Sequence, residues 1–507
     1  MTAAASSGRA AVRPAPVSAR TAAIFALAVL IGVIGDVVIT WLPPRLDVAS
    51  LVAVTVVSVV LLAWWRDGEW PSGAALLLAG GAAGVAALVW RDSPVLFALN
   101  VVGVAGCLFA GSPAAEAAGL RLAGVTDWVR EALRAGLETA MGAFPAMATE
   151  VRWGDLPLTG RMRSVGSAGV GFLAALPVLL VFGALFASAD PLFAKAVDRI
   201  FVLDVERFAG HAGRIGVLAW LAAGMLRTLV AAPGRKPSPI GGGGWVGLAE
   251  VGTALGAVAA LFLAFVAAQV PYLFGGAERV ARLAGLSYAE YARRGFFELV
   301  WVAALTLPVL LVADWALDKR DPHAVRRVRT IAWLMLGLLA VILASALSRM
   351  ALYTGAYGLT ELRLYTTAFM GWLIVVFAWF GATVLQGARE RFASGALVAA
   401  GCLIVALDVA NPDALIARVN LARADRGASF DADYAIRLSA DAVPLVVARA
   451  TALPPGERCL VADELAARWG GDPAPGAPWT IARIRARSAV RAGLPALARS
   501  CQVPGGG

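Results

Sequence analysis

Apolar runs of about twenty residues recur along this chain, and they limit its fold more than any other feature. Each is long enough to cross the roughly 30 Å hydrocarbon core of a bilayer. Inside lipid such a run must be helical, because nothing there satisfies the N–H and C=O groups of an open backbone. Eleven runs read as spans: residues 21–42, 46–65, 72–90, 94–111, 165–188, 214–232, 246–272, 296–318, 330–352, 363–386 and 395–411. Composition agrees, with 60% hydrophobic and 15% charged residues and a mean hydropathy of +0.75. The predicted fold class is all-α, a polytopic integral membrane helical bundle with a small helical C-terminal extramembrane region.

Three regions follow. Residues 1–20 form a basic, Ala/Ser/Pro-rich arm expected to be disordered. Residues 21–411 are the transmembrane domain. Residues 412–507 lose the lipid signature, and caps or proline starts at Asn411-Pro412, Asp431, Asp441, Pro455 and Pro478 predict several short helices. Within the second region, residues 112–164 are more polar. There Trp128-Val-Arg130-Glu-Ala-Leu-Arg134 has the spacing of a surface amphipathic helix.

The net charge of +10 does not point to nucleic acid, because the arginines are spread over many short connections instead of one stripe. With eleven spans and the N-terminus inside, cytoplasmic connections hold 19 Lys and Arg residues and the opposite connections hold 11. This bias predicts a cytoplasmic N-terminus and an extracytoplasmic C-terminal domain. Cys459 and Cys501 lie in that domain; in an oxidising compartment they can form a disulfide, although spacing alone leaves the pairing open. The two histidines, His211 and His323, sit in separate connections, so no zinc pattern exists and no metal or cofactor is expected. Gly242-Gly-Gly244-Trp-Val-Gly247 matches a dinucleotide-loop pattern, but Pro-rich linker precedes it and a span follows. Gly80-x-x-x-Gly84 and Gly252-x-x-x-Gly256 read as close helix-packing sites.

Two stretches concentrate polar side chains where apolar helices meet water. In the first, Tyr288, Tyr291, Arg294 and Glu298 fall on one helical stripe, with Arg293 beside them. In the second, Arg349, Tyr353 and Tyr357 share a face and lead to Glu361 and Arg363. Gly355 and Gly358 are expected to break the helix between them, and Thr360 to cap the next. One reading is an interfacial anchor, with tyrosines and arginines at headgroup level. A sharper reading is a polar site in which Arg349 or Arg363 meets Glu298 or Glu361 across helices.

These two stretches resemble signature segments of a bacterial membrane-protein family. So do residues 183–193 (Gly-Ala-Leu-Phe-Ala-Ser-Ala-Asp-Pro-Leu-Phe), Tyr272-Leu-Phe-Gly-Gly276 and Asn411-Pro412-Asp413. That family is domain-of-unknown-function family 4173, and the likeness runs from about residue 165 to 450. The resemblance implies a multi-pass protein of the bacterial inner, or plasma, membrane. It implies no activity, ligand or catalytic residue.

No catalytic motif is present, so the leading expectation is a membrane scaffold or signalling partner. Its partners would be the lipid bilayer and other membrane or extracytoplasmic proteins, and not nucleic acid. The alternatives are a transporter or channel with a polar site among the eighth to tenth spans, and an enzyme acting on a lipid-linked substrate.

Overall fold

A computed structural model describes residues 19–67, 70, 72–141, 205–231, 247–274 and 296–501. Every element among them is helical. Eight helices are long and apolar enough to cross a membrane. They overlap eight of the eleven expected spans; residues 72–90 and 94–111 form helices of 17 residues, and 165–188 lies outside the described residues. Seventeen residues rise about 25 Å, the lower limit for a crossing. The exposed surface of the spans is itself apolar, with Val102, Leu261, Trp301, Val398 and Val409 facing outward. Only lipid makes such a surface favourable, and the chain is a multi-pass membrane protein.

The chain divides into two compact units. The first comprises Met1–Leu42, Val54–Pro71 and Leu133–Ala232. In it, α1 (Ala19–Trp41) packs along α7 (Val205–Leu226). Gly32 makes this close approach feasible, since a Cβ there would lie 2.7 Å from the Ile215 carbonyl oxygen. Near one end of the pair, Asp36 accepts from Arg214 Nε at 2.7 Å and lies 2.6 Å from His211 Nδ1.

The second unit comprises Pro43–Ala53, Ser72–Ala132 and Pro233–Gly507. Its membrane core is built by α8 (Leu248–Phe274), α9 (Phe296–Ala316), α10 (Pro322–Tyr357) and α11 (Glu361–Thr383). Leu255, Leu310, Met335, Leu339, Met370 and Phe380 interlock there. Around it stand the hairpin of α3 (Ala74–Trp90) and α4 (Pro94–Ala110), and α12 (Phe392–Ala410). The two hairpin helices meet at small residues: Cβ atoms on Gly80 and Gly84 would fall 2.7 Å from Cys107 Sγ and 2.1 Å from Val104 Cγ2. The Gly252/Gly256 pair makes no comparable contact among the described residues.

Helix α10 departs from expectation. Its 36 residues rise about 54 Å, well beyond the membrane core and beyond the expected span 330–352. Asp321 caps its start by accepting from His323 N at 2.8 Å, with Pro322 in the first turn. Gly355 does not break it. The stop comes at Gly358, whose φ of +82° suits glycine alone, and where a Cβ would clash with Asn420 Oδ1 at 2.6 Å. Thr360 holds the N-cap position of α11, without a side-chain bond.

From Asn411 the chain forms a second hydrophobic core with five further α-helices. Helix α13 (Pro412–Ala424) starts where Asn411 Oδ1 accepts from Ala414 N at 3.4 Å, and Asp431 caps α14 (Ala432–Arg437) at 2.9 Å. Helices α15 (Val443–Arg449), α16 (Pro455–Leu465) and α17 (Ile481–Cys501) complete it, after a first contribution from α13 and α14 around Ile416, Leu438, Val446, Val461, Trp469 and Val490. Cys459 on α16 is joined to Cys501 at the end of α17, with Cα atoms 5.4 Å apart.

Candidate functional site

The three-residue turn Arg91-Asp92-Ser93 joins α3 to α4 and carries two opposite charges between two apolar helices. Neither charge faces water. Arg91 Nε donates to the Asp408 carbonyl at 2.8 Å, at the end of α12, and Arg91 Nη1 pairs with Asp441 Oδ1 at 3.2 Å. The two side chains are only 8% and 4% exposed, so this is a buried ion pair. The other Asp441 oxygen accepts from Asp92 N at 2.7 Å. Asp92 in turn pairs with Arg483 Nε of α17 at 2.6 Å and accepts from Ala440 N at 3.3 Å.

Neighbouring groups complete this joint between bundle and C-terminal domain. Arg45 stacks on Phe97, 3.8 Å from the ring centre, and donates to the Asp92 carbonyl. Asn100 Nδ2 donates to Asp408 Oδ1 at 3.1 Å, and Trp479 N to the Pro44 carbonyl at 2.9 Å. A second contact lies at the α10–α11 turn. There Asn420 of α13 clamps Leu359 through both backbone groups, at 2.7 and 2.8 Å, and Arg423 Nη2 donates to the Ala356 carbonyl at 2.8 Å.

Electrostatics follow from burial. It pushes the Asp441 carboxyl above the usual carboxylate range, against the pull of Asp92 N–H and Arg91. Asp413, buried in the first turn of α13, is pushed up to about 6 by burial, with Ser439 opposing and Glu361 and Asp441 adding to the rise. Its Oδ2 accepts from Ser439 N at 3.3 Å, while its Oδ1 has no partner among the described residues. Apart from that oxygen the joint's carboxylates are engaged, so its chemistry is that of a fastening. No cluster able to hold a metal ion occurs among the described residues.

The polar stretches expected from the sequence fare differently. Tyr288, Tyr291, Arg293 and Arg294 lie outside the described residues. Glu298 is exposed in the first turn of α9. Arg349 donates to Gln269 Oε1 of α8 at 3.3 Å, beside Ser345, which bonds the same oxygen at 2.5 Å. Tyr353 and Tyr357 meet edge to face, and Arg363 lies over the Tyr353 ring at 3.9 Å while donating to the Gly358 carbonyl. Glu361 contributes its backbone N–H, which donates to the Tyr434 hydroxyl at 2.8 Å. Among the described residues no ion pair links Glu298, Arg349, Glu361 and Arg363; the pairs formed in this unit include Arg91–Asp441, Arg483–Asp92 and Lys319–Asp314. Asp441, expected as a helix cap, instead serves the joint, because a buried guanidinium and a distant N–H outcompete the local backbone.

A family model described as a domain of unknown function, DUF4153, matches residues 72–448, which include Arg91, Asp92, Asp408, Asp413 and Asp441. The chain belongs to that family. The match is to DUF4153; the number 4173 is not supported, and what survives of the resemblance is a domain of unknown function covering most of the chain. The DUF4153 region takes in the α3–α4 hairpin, and Arg483 and the two joined cysteines lie beyond its end. No curated protein and no solved structure matches the chain.

Proposed function

We propose that this DUF4153 protein is a non-enzymatic membrane scaffold of the bacterial inner membrane. The bundle holds the C-terminal helical domain in one pose on the extracytoplasmic surface, where it engages other membrane or extracytoplasmic proteins. The carrying observation is the joint: Asp92 and Asp441 spend every carboxylate oxygen on Arg91, Arg483 and backbone N–H groups. Groups so committed position a domain and are not free to move protons or attack a substrate. The orientation rests on the Lys/Arg bias and on the cysteine pair, which suits an oxidising compartment.

One observation favours transport as a second reading. Gln269, Ser345 and Arg349 make a polar contact between α8 and α10, with Gln269 Nε2 buried and without a partner among the described residues. It is one site, where a proton or ion path needs a succession of them.

The test is photo-crosslinking in native membranes from Leu460 and Ile484, two exposed side chains of the C-terminal domain. A scaffold gives discrete protein adducts that change when Asp441→Asn loosens the joint. Adducts to lipid alone, or solute flux through purified protein in vesicles that Arg349→Gln abolishes, would overturn it.

A further inference from the structure

Helix α6 (Val125–Met141) is turned inside out for a helix in water. Its most exposed residues are Thr126, Val129, Ala132, Leu133, Gly136, Leu137, Ala140 and Met141, a single stripe with helical spacing. Val129, Leu133, Leu137 and Met141 are 53%, 65%, 66% and 58% exposed. The charged residues are the more sheltered ones, and they pair along the helix: Arg130 with Asp127 at 3.1 Å and Glu131 at 3.5 Å, Arg134 with Glu138 at 2.7 Å. An apolar face pointing outward beside a neutralised charged face needs a non-aqueous cover.

We infer that α6 lies in the headgroup–acyl boundary of the bilayer, at the bundle end opposite the C-terminal domain, with its Val129/Leu133/Leu137 face immersed in lipid. Two observations set its start at that level. Trp128 packs edge to face on Phe109 in the last turn of α4, at 5.9 Å. Val125 packs against the bundle core, and a small cleft of about 40 Å³ between Gly124–Thr126 and Leu311, Asp314, Trp315, Val384 and Arg389 marks where the helix starts at the ends of α9 and α11.

Five charged residues in 17 prevent α6 from crossing the membrane, so it lies along the surface. The charges also name the kind of lipid contact. Two arginines against three carboxylates leave a net charge of −1, so apolar burial holds the helix and anionic headgroups are not required. An immersion of about 5–10 Å is expected.

Nitroxide labels on single cysteines test this in vesicles, in full-length protein carrying Cys107→Ser and Cys402→Ser. Val129, Leu133 and Leu137 report the apolar stripe, and Glu131 the sheltered face. Ala132 and Ala140 offer smaller exposed positions if a larger side chain proves necessary for folding. The stripe should be reached by oxygen and not by a nickel chelate, at a shallow depth, equally in phosphatidylcholine and in mixtures with phosphatidylglycerol. Ready access by the chelate would place the stripe in water and overturn the inference. Exclusion of both reagents would mean cover by protein, either other residues of this chain or a second copy. A depth near the bilayer centre, or immersion only in anionic vesicles, would overturn it equally.

Discussion

The Arg91–Asp441 joint and the polar stretch at 349–363 both gather arginines and carboxylates at the ends of apolar helices, yet they use them in opposite ways. At the joint, partners come from four parts of the chain, and the Arg91–Asp441 pair spans a separation of 350 residues. At 349–363 no ion pair joins Arg349, Glu361 and Arg363 among the described residues: Arg363 lies on Tyr353 and the Gly358 carbonyl, Arg349 reaches the neutral Gln269, and Glu361 uses its backbone N–H on the Tyr434 hydroxyl. The first group is buried, so losing one member strands a charge that water cannot reach. The second is half-buried or exposed, and water can replace what is lost. Crowding of polar residues in sequence is therefore a poor guide to which charges matter for stability.

That contrast can be broken or sharpened by substitution. The largest loss is expected for Asp441→Ala, which leaves Arg91 and the Asp92 N–H without their partner; about 3–5 kcal/mol should be lost from thermal unfolding in detergent. Next comes Cys501→Ser, which opens the link to Cys459 and should cost about 2–4 kcal/mol, read from urea unfolding followed by C-terminal-domain tryptophan fluorescence. Asp413→Asn acts in the other direction. Its carboxyl titrates at about 6 when folded, above the ordinary value of about 3.9. The folded state therefore binds the proton more tightly, and stability falls as pH rises from about 4 to about 6. Asp413→Asn should abolish that fall and gain up to about 3 kcal/mol at pH 7, seen in unfolding midpoints measured across that window. The smallest effects belong to the other region: Glu298→Gln and Arg363→Gln should each change stability by about 1 kcal/mol or less. A loss at Arg363 as large as that at Asp441 would erase the contrast.

Much of the fold was legible because hydropathy is local. The runs that became α1, α2 (Leu46–Asp67), α7–α9, α11 and α12 needed no distant partner to be recognised. The Gly80/Gly84 contact was legible for the same reason, since two small residues one turn apart prepare a close approach. Helix α10 was not bounded correctly, because Gly355 is tolerated inside a helix whose real stop is enforced by Asn420 and Arg423 from another helix. The joint was not legible as a site. Arg91 read as one more loop charge and Asp441 as a cap, and only folding brings them together. The available signal was slight: an opposite-charge pair in a three-residue turn between apolar runs, and the polar Asn100 and Asp408 inside two such runs.

The central claim, that a buried ionic joint fastens the C-terminal domain to the bundle, is tested most directly by a double-mutant cycle on Arg91 and Asp441. Unfolding free energies of wild type, Arg91→Ala, Asp441→Ala and the double variant should give a coupling of about 2–3 kcal/mol, the double variant losing that much less than the sum of the two single ones. Additive losses, with coupling near zero, would contradict the claim.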